Sequence, residues 1–205
     1  MVRTGAVVLG PLVLCSVVGI FWYWGSPSFT DVGYQPKQPV PFSHALHAGE
    51  LGLDCRYCHS TVEISHQASV PATETCMNCH KLVKADSDAL APVRESWAKD
   101  VPVQWVRVHM LPDYAYFDHS VHVAAGVGCS TCHGRIDEME EVSQYASLSM
   151  GWCLDCHRNP TPNLRPRDQV TNMAYDTATA GYDPSTDPSR TRMVDPPEHC
   201  SGCHR

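Results

Sequence analysis

Cys55-Arg56-Tyr57-Cys58-His59 decides how this chain is read, because the same pattern returns four more times. Cys76-Met77-Asn78-Cys79-His80, Cys129-Ser130-Thr131-Cys132-His133, Cys153-Leu154-Asp155-Cys156-His157 and Cys200-Ser201-Gly202-Cys203-His204 all spell Cys-x-x-Cys-His. The pattern is the attachment word of c-type haem. Two thiols add across the two vinyl groups of one porphyrin, and the two-residue spacer lets both reach it. The next histidine is then held beneath the iron as its proximal ligand. Five words predict five covalent haems c, with His59, His80, His133, His157 and His204 as proximal ligands.

Two other chemistries use such cysteines. Cys58 and Cys76 are separated by 17 residues, a spacing open to a four-cysteine zinc site. Zinc consumes the pairs two at a time, which leaves a fifth without a mate, and has no use for a histidine at one fixed offset. A disulfide framework leaves the five histidines unexplained.

Proline is abundant (16) and phenylalanine scarce (4) in 205 residues, so the chain's own core is predicted to be thin. Porphyrins are large, flat and mostly apolar, and a chain wrapped on them couples its stability to the cofactor. The formal charge of −7 becomes more negative with haem propionates and excludes nucleic acid as a partner.

Residues 1–25 read as a transmembrane anchor: Thr4–Gly25 carries no charge, long enough for one spanning helix. Pro11 is tolerated there when neighbours satisfy the freed carbonyl. Arg3 marks the cytoplasmic end and Trp22-Tyr23-Trp24 the opposite interface. The competing reading is a cleaved signal peptide. The apolar stretch is longer than a signal core, no small-x-small site follows it, and Leu14 is too large for lipoprotein processing at Cys15. The expectation is a retained single-pass anchor in the bacterial cytoplasmic membrane, with the haem domain on the outer, periplasmic side.

Residues 26–41 read as a proline-spaced linker lifting that domain off the membrane. Phe42-Ser43-His44-Ala45-Leu46-His47 then stands eight positions ahead of Cys55, and Phe117-Asp118-His119-Ser120-Val121-His122 seven ahead of Cys129. Each is followed by two words, separated by 16 residues (Ser60–Thr75) and 19 residues (Gly134–Trp152). Residues 42–80 and 117–157 are therefore an internal duplication of a dihaem unit. The spacing of His44/His47 and His119/His122 puts both rings on one face of a short helix. A helix that touches two irons presents them in this way. The connector 81–116 carries a helix over Ala85–Lys99, with Pro92 near its start, and an extended Val101–Val108. Asp137–Glu141 reads as a solvated helix face, and 158–205 as a long irregular arm delivering the fifth haem. The fold class is mostly irregular with short α-helices, a multihaem cytochrome c built around five haems.

The histidine pairs ahead of haem words resemble those of class III multihaem cytochromes. Longer stretches are similar to the pentahaem cytochrome c component of alternative complex III. They are Pro41-Phe42-Ser43-His44 through Cys55–His59, Val108-His109-Met110-Leu111-Pro112-Asp113-Tyr114 to His122, and Ser149-Met150-Gly151-Trp152-Cys153 to Pro160. That resemblance, good over roughly residues 40–165, implies a haem subunit of a quinol-oxidising membrane complex. Its expected partners are polytopic quinol-binding subunits, an iron–sulfur subunit, and a monohaem cytochrome c or copper protein as acceptor, or a terminal oxidase. The resemblance also implies distal ligands. His44 serves the haem of His59 and His119 that of His133, while His47 and His122 cross to other haems. His109 is assigned to the fifth iron, with His66 and His199 in reserve. The rival is thioether ligation by Met150 or Met139, which raises a haem's potential.

The main functional reading is an electron relay without chemistry of its own, since seven histidines outside the words suffice to close five irons. A multihaem reductase needs an open iron position, and a quinol dehydrogenase acting alone needs a headgroup pocket that one helix cannot easily enclose.

Overall fold

A computed structural model describes residues 2–190 and 194–204, with side chains from Val7 onward at the N-terminal end. Helix α1, Val2–Trp24, runs straight through Pro11, whose missing N–H leaves the carbonyl one turn back without its helical donor. Its side chains from Val7 to Trp24 are exposed all round and, apart from Ser16, whose hydroxyl donates to Leu12 O at 2.8 Å, apolar, and this stretch is long and apolar enough to cross a membrane. The side chain of Arg3 lies outside the described residues. Helix α2, Pro27–Thr30, folds back on the end of α1 through Phe29, whose ring sits 5.7 Å from Tyr23 and 6.3 Å from Trp24.

The proline-spaced stretch 26–41 is hydrogen-bonded to distant parts of the chain. Gly33 N–H donates to the Gln144 carbonyl and Gln144 N–H to that of Tyr34. The Gln38 side chain exchanges two bonds of 2.9 Å with the Val106 backbone. Proline-spaced backbone has few local partners, so its polar groups are satisfied by distant segments.

Among the described residues there is no strand, and antiparallel pairing is confined to two isolated bridges, Ala115 with His204 and Val127 with Leu164. A π-helical turn, Ala45–Glu50, and helices α3, Cys55–Cys58, and α4, Thr73–His80, make the first unit. The connector holds α5, Ala91–Lys99, behind a 3-10 turn at Asp88–Leu90. Pro92 lies in the first turn of α5, and Asp100 closes it in the left-handed conformation. Val40, Met77 and Val93 are buried together where α4 meets α5, with Leu90, Val103 and Trp105 around them. The second unit consists of α6, His119–Ala125, α7, Cys129–His133, and α8, Met150–Arg158. Gly126 ends α6 at φ +85°, and a side chain there would also strike the Arg165 carbonyl.

The acidic run is not a helix face. Only Ile136–Glu138 forms a 3-10 turn, and Arg135 pairs with Asp137 at 2.8 Å. The turn packs on the π-helical turn of the first unit, where Ala45 N–H donates to Met139 O at 3.0 Å. Gly49 lies so close to the Asp137 carbonyl that a Cβ would overlap it.

The arm is less loose than its composition indicated. It contains short turns at Thr161–Asn163 and Arg167–Gln169, and helices α9, Thr177–Ala180, and α10, Cys200–Cys203. Leu164 and Val170 are 2% and 1% exposed, and Met173 is buried with them. These residues close over the start of α7, where Cys129 N–H donates to Val170 O at 3.0 Å and Arg165 N–H to Gly126 O at 2.9 Å.

Candidate haem centres

In every word, one helical turn carries the two cysteines to the same side, because residues three apart are neighbours on a helix. The local sequence starts that turn. Asp54 caps α3 by accepting from Arg56 N–H at 2.9 Å, and Ser149 caps α8 by accepting from Trp152 N–H at 3.3 Å. All cysteines are unpaired. Burial raises the pKa values of Cys58, Cys76, Cys153 and Cys156, and pushes Cys132 up to about 12. Among the described residues no three His, Cys, Asp or Glu side chains converge where a metal ion alone would sit.

Four of the word histidines hold Nδ1 against a backbone carbonyl. His59 meets Ser69 O at 2.7 Å, His80 meets Val83 O at 2.9 Å, His157 meets Pro197 O at 2.7 Å and His204 meets Tyr114 O at 3.1 Å. A carbonyl accepts only, so Nδ1 carries the proton and Nε2 keeps a free lone pair, the tautomer a metal ligand needs.

The duplicated pairs are built alike. Phe42 lies 4.9 Å from His44, edge on, and 4.4 Å from His47, stacked. Phe117 lies 4.8 Å from His119, edge on, and 4.4 Å from His122. His47 Nδ1 donates to Ser43 O at 2.8 Å and His122 Nδ1 to Asp118 O at 2.7 Å, again freeing Nε2. Burial, then the neighbouring His59 and His47, lowers the His44 pKa to about 4. Burial lowers His122 as well, so these imidazoles are neutral at pH 7.

Each pair faces two different words. The ring of His47 is 6.2 Å from that of His80, His119 is 6.4 Å from His133, and His122 is 6.1 Å from His157. Two imidazoles bonded to one metal from opposite sides, each at about 2 Å, have ring centres roughly 6 Å apart. His44 stands beside His59, and its Nδ1 is buried without a partner. The donor set therefore fits haem iron held between two histidines.

Contacts between words run in a line. The second touches the first, Asn78 Nδ2 donating to Tyr57 Oη at 3.2 Å. The first neighbours the third where the Cys55 thiol, together with burial, pushes Cys129 up. One helix, α6, faces both the third and the fourth. The fourth meets the segment of the fifth, where Arg158 pairs with Glu198 at 3.5 Å beside the His157–Pro197 bond. These contacts join the words in the order second, first, third, fourth, fifth, which the sequence did not reveal.

His109, assigned from the sequence to the one iron left without a distal ligand, stands beside the third word. Its ring is 4.4 Å from that of His133 and its Nε2 is 3.3 Å from His133 Nδ1. His66 is carried toward the fifth word: its ring stacks on Tyr116 at 6.1 Å, and Tyr116 N–H donates to Cys203 O at 2.7 Å. The Met139 sulfur is 4.0 Å from Ser143 Oγ, Met150 is 66% exposed, and His199 Nδ1 lies 3.2 Å from Ser201 Oγ. Sequence reasoning missed Arg165, 3% exposed and without a carboxylate partner among the described residues, which bonds Asn172 O and Ser130 Oγ over the Tyr175 ring. An isolated arginine in an aperiodic arm gives no signal of burial.

The profile of cytochrome c7 and related cytochrome c matches residues 40–96 and 115–205. The chain belongs to this family. It is a multihaem c-type cytochrome, a carrier of covalent haem c. It is also 31% identical over 161 residues to the multiheme cytochrome c subunit of menaquinone reductase of Nitratidesulfovibrio vulgaris, spanning 68% of this chain and 76% of that protein.

Proposed function

We propose that the chain is a pentahaem electron relay, anchored by α1, that serves a quinone-reactive membrane complex. The observation that carries this reading is the line of word contacts joined to the facing histidine pairs. A relay needs closely spaced sites, each closed on both sides so that redox change moves few atoms. Ten cysteines would attach five haems c: Cys55, Cys58, Cys76, Cys79, Cys129, Cys132, Cys153, Cys156, Cys200 and Cys203. When bound, each group supplies a one-electron iron couple whose potential the axial ligands set.

The residues divide the work. His44 with His59, His47 with His80, His119 with His133 and His122 with His157 would each hold one iron, in keeping with the rings described above. His204 would hold the fifth, opposite His66, which the Tyr116 contact favours. The carbonyls of Ser69, Val83, Pro197 and Tyr114 fix the orientation of four proximal rings. With every iron closed there is no open position for a reductase substrate.

The complex we infer is of the alternative complex III type: polytopic quinol-binding subunits, an iron–sulfur subunit, and transfer to a periplasmic cytochrome c, copper protein or terminal oxidase. A second reading runs the other way, toward quinone, and is favoured by the name of the menaquinone reductase relative. The test uses the complex purified from detergent-solubilised membranes. Rapid haem reduction by a menaquinol analogue, followed by reoxidation with a small cytochrome c, supports the first direction. Oxidation of pre-reduced haems by menaquinone alone supports the second. Haems silent to both would refute a quinone-linked relay.

A further inference from the structure

We propose that His109 is the positioning partner of His133, accepting the hydrogen bond of its Nδ1, and thereby sets the potential of the third haem apart from the others. This deepens the relay reading and rests on His133 being a proximal ligand.

Four word histidines give Nδ1 to a backbone carbonyl, whereas the third gives it to a side-chain nitrogen. The direction of that bond follows from chemistry. To keep Nε2 free for iron, His133 must carry its proton on Nδ1, so His133 donates and His109 Nε2 accepts. His109 is then the neutral ring protonated at Nδ1. The rings meet at 77°, with the edge of one toward the face of the other.

His109 is held in place from both sides. Arg107 Nε donates to the His109 carbonyl at 3.0 Å. The next residue, Met110, gives its N–H to Gln144 Oε1 at 3.4 Å, and Gln144 is 1% exposed. The ring opposite His133 across the proposed iron is His119, 6.4 Å away, so His109 occupies the back of the proximal ring and not the distal position. An Nε2 that accepts from His133 is not free to bind the fifth iron.

An imidazole nitrogen is a stronger base than a carbonyl oxygen. Accepting the Nδ1 proton gives the proximal ring more imidazolate character, which strengthens its donation to iron and favours the oxidised state. The third word is the middle of the line, so this haem would be the low point in potential between two flanking pairs.

The test is a spectropotentiometric titration of the haem-loaded protein in three forms: natural, H109L, whose side chain has no acceptor, and H109Q, whose amide oxygen accepts. Intact mass first counts the haems, and fewer than five on the natural protein would reveal failure of the relay reading itself. The expected result is that H109L keeps every haem low-spin and unreactive to carbon monoxide, while one of five midpoints shifts upward. H109Q should return that midpoint most of the way. A stoichiometric carbon monoxide adduct in H109L or H109Q would make His109 an iron ligand and overturn the proposal. So would H109L titration curves that superimpose on those of the natural protein. If H109L does not load haem, H109F, equally without an acceptor, is titrated in its place and read by the same two outcomes.

Discussion

At the scale of the residue, the geometry separates histidines that share one chemistry. His47 and His122 each free Nε2 by giving Nδ1 to the carbonyl four residues back, then face a word that is not the nearest in sequence. Replacing either with alanine is expected to leave all haems attached but turn one of the five high-spin, visible as one equivalent of carbon monoxide bound to the reduced protein. An unchanged Soret band after H47A would refute that pairing. Asp54 behaves differently because it titrates in solvent. The Arg56 side chain, by hydrogen bonding, holds its carboxyl down at about 2, against an ordinary value of 3.8. A depressed carboxylate stabilises the fold above the unfolded pKa and loses that contribution as pH falls through the folded one. Thermal stability should therefore drop between about pH 4 and pH 2, and D54N, which keeps the cap, should flatten that drop. The words and both histidine pairs were legible in the sequence, because fixed short spacings encode them. The partner of His109 was not, since the meeting of residues 109 and 133 depends on the path of the whole connector.

At the scale of the element, the two units show how one motif tolerates two backbones. His47 sits in a π-helical turn and His122 in an α-helix, yet Phe42 and Phe117 lie against them at the same 4.4 Å. Histidine–phenylalanine packing is the preserved unit, and helix type adapts to it. The sequence displayed this repeat but not the winding, which differs by one residue per turn and leaves no periodic trace over six residues. The arm was legible only as aperiodic. Leu164, Val170 and Met173 have no helical or strand spacing, so their burial became visible only when they closed on α7. Leu164→Ala should cost about 2–5 kcal/mol by cavity formation. A denaturant midpoint lowered with haem content unchanged would show it, and a shift below about 1 kcal/mol would mean the arm is dispensable to the unit.

At the scale of the whole molecule, seven apolar side chains are buried among the described residues, too few to order a chain of this length. The prediction is that intact mass shows five haem additions surviving acid–organic extraction, and that protein made without haem maturation is largely unfolded by circular dichroism. Extractable haem, or a folded haem-free form, would count against it. The thin core was foreseeable from composition, whereas the order of the words was not, because no local pattern encodes which distant cysteines meet. One contact also constrains time. Thr171 Oγ1 donates to Asp54 Oδ2 at 2.9 Å, and the Cys55 sulfur lies 4.0 Å from the Thr171 carbonyl, 116 residues away. Synthesis from the N-terminus delivers Cys55 and Cys129 before the segment that covers them. The first four words thus emerge while this latch is still absent, and the maturation enzymes meet open thiols. A latch that formed early would shut those enzymes out, so placing the covering segment late in the chain makes synthesis itself the clock of assembly.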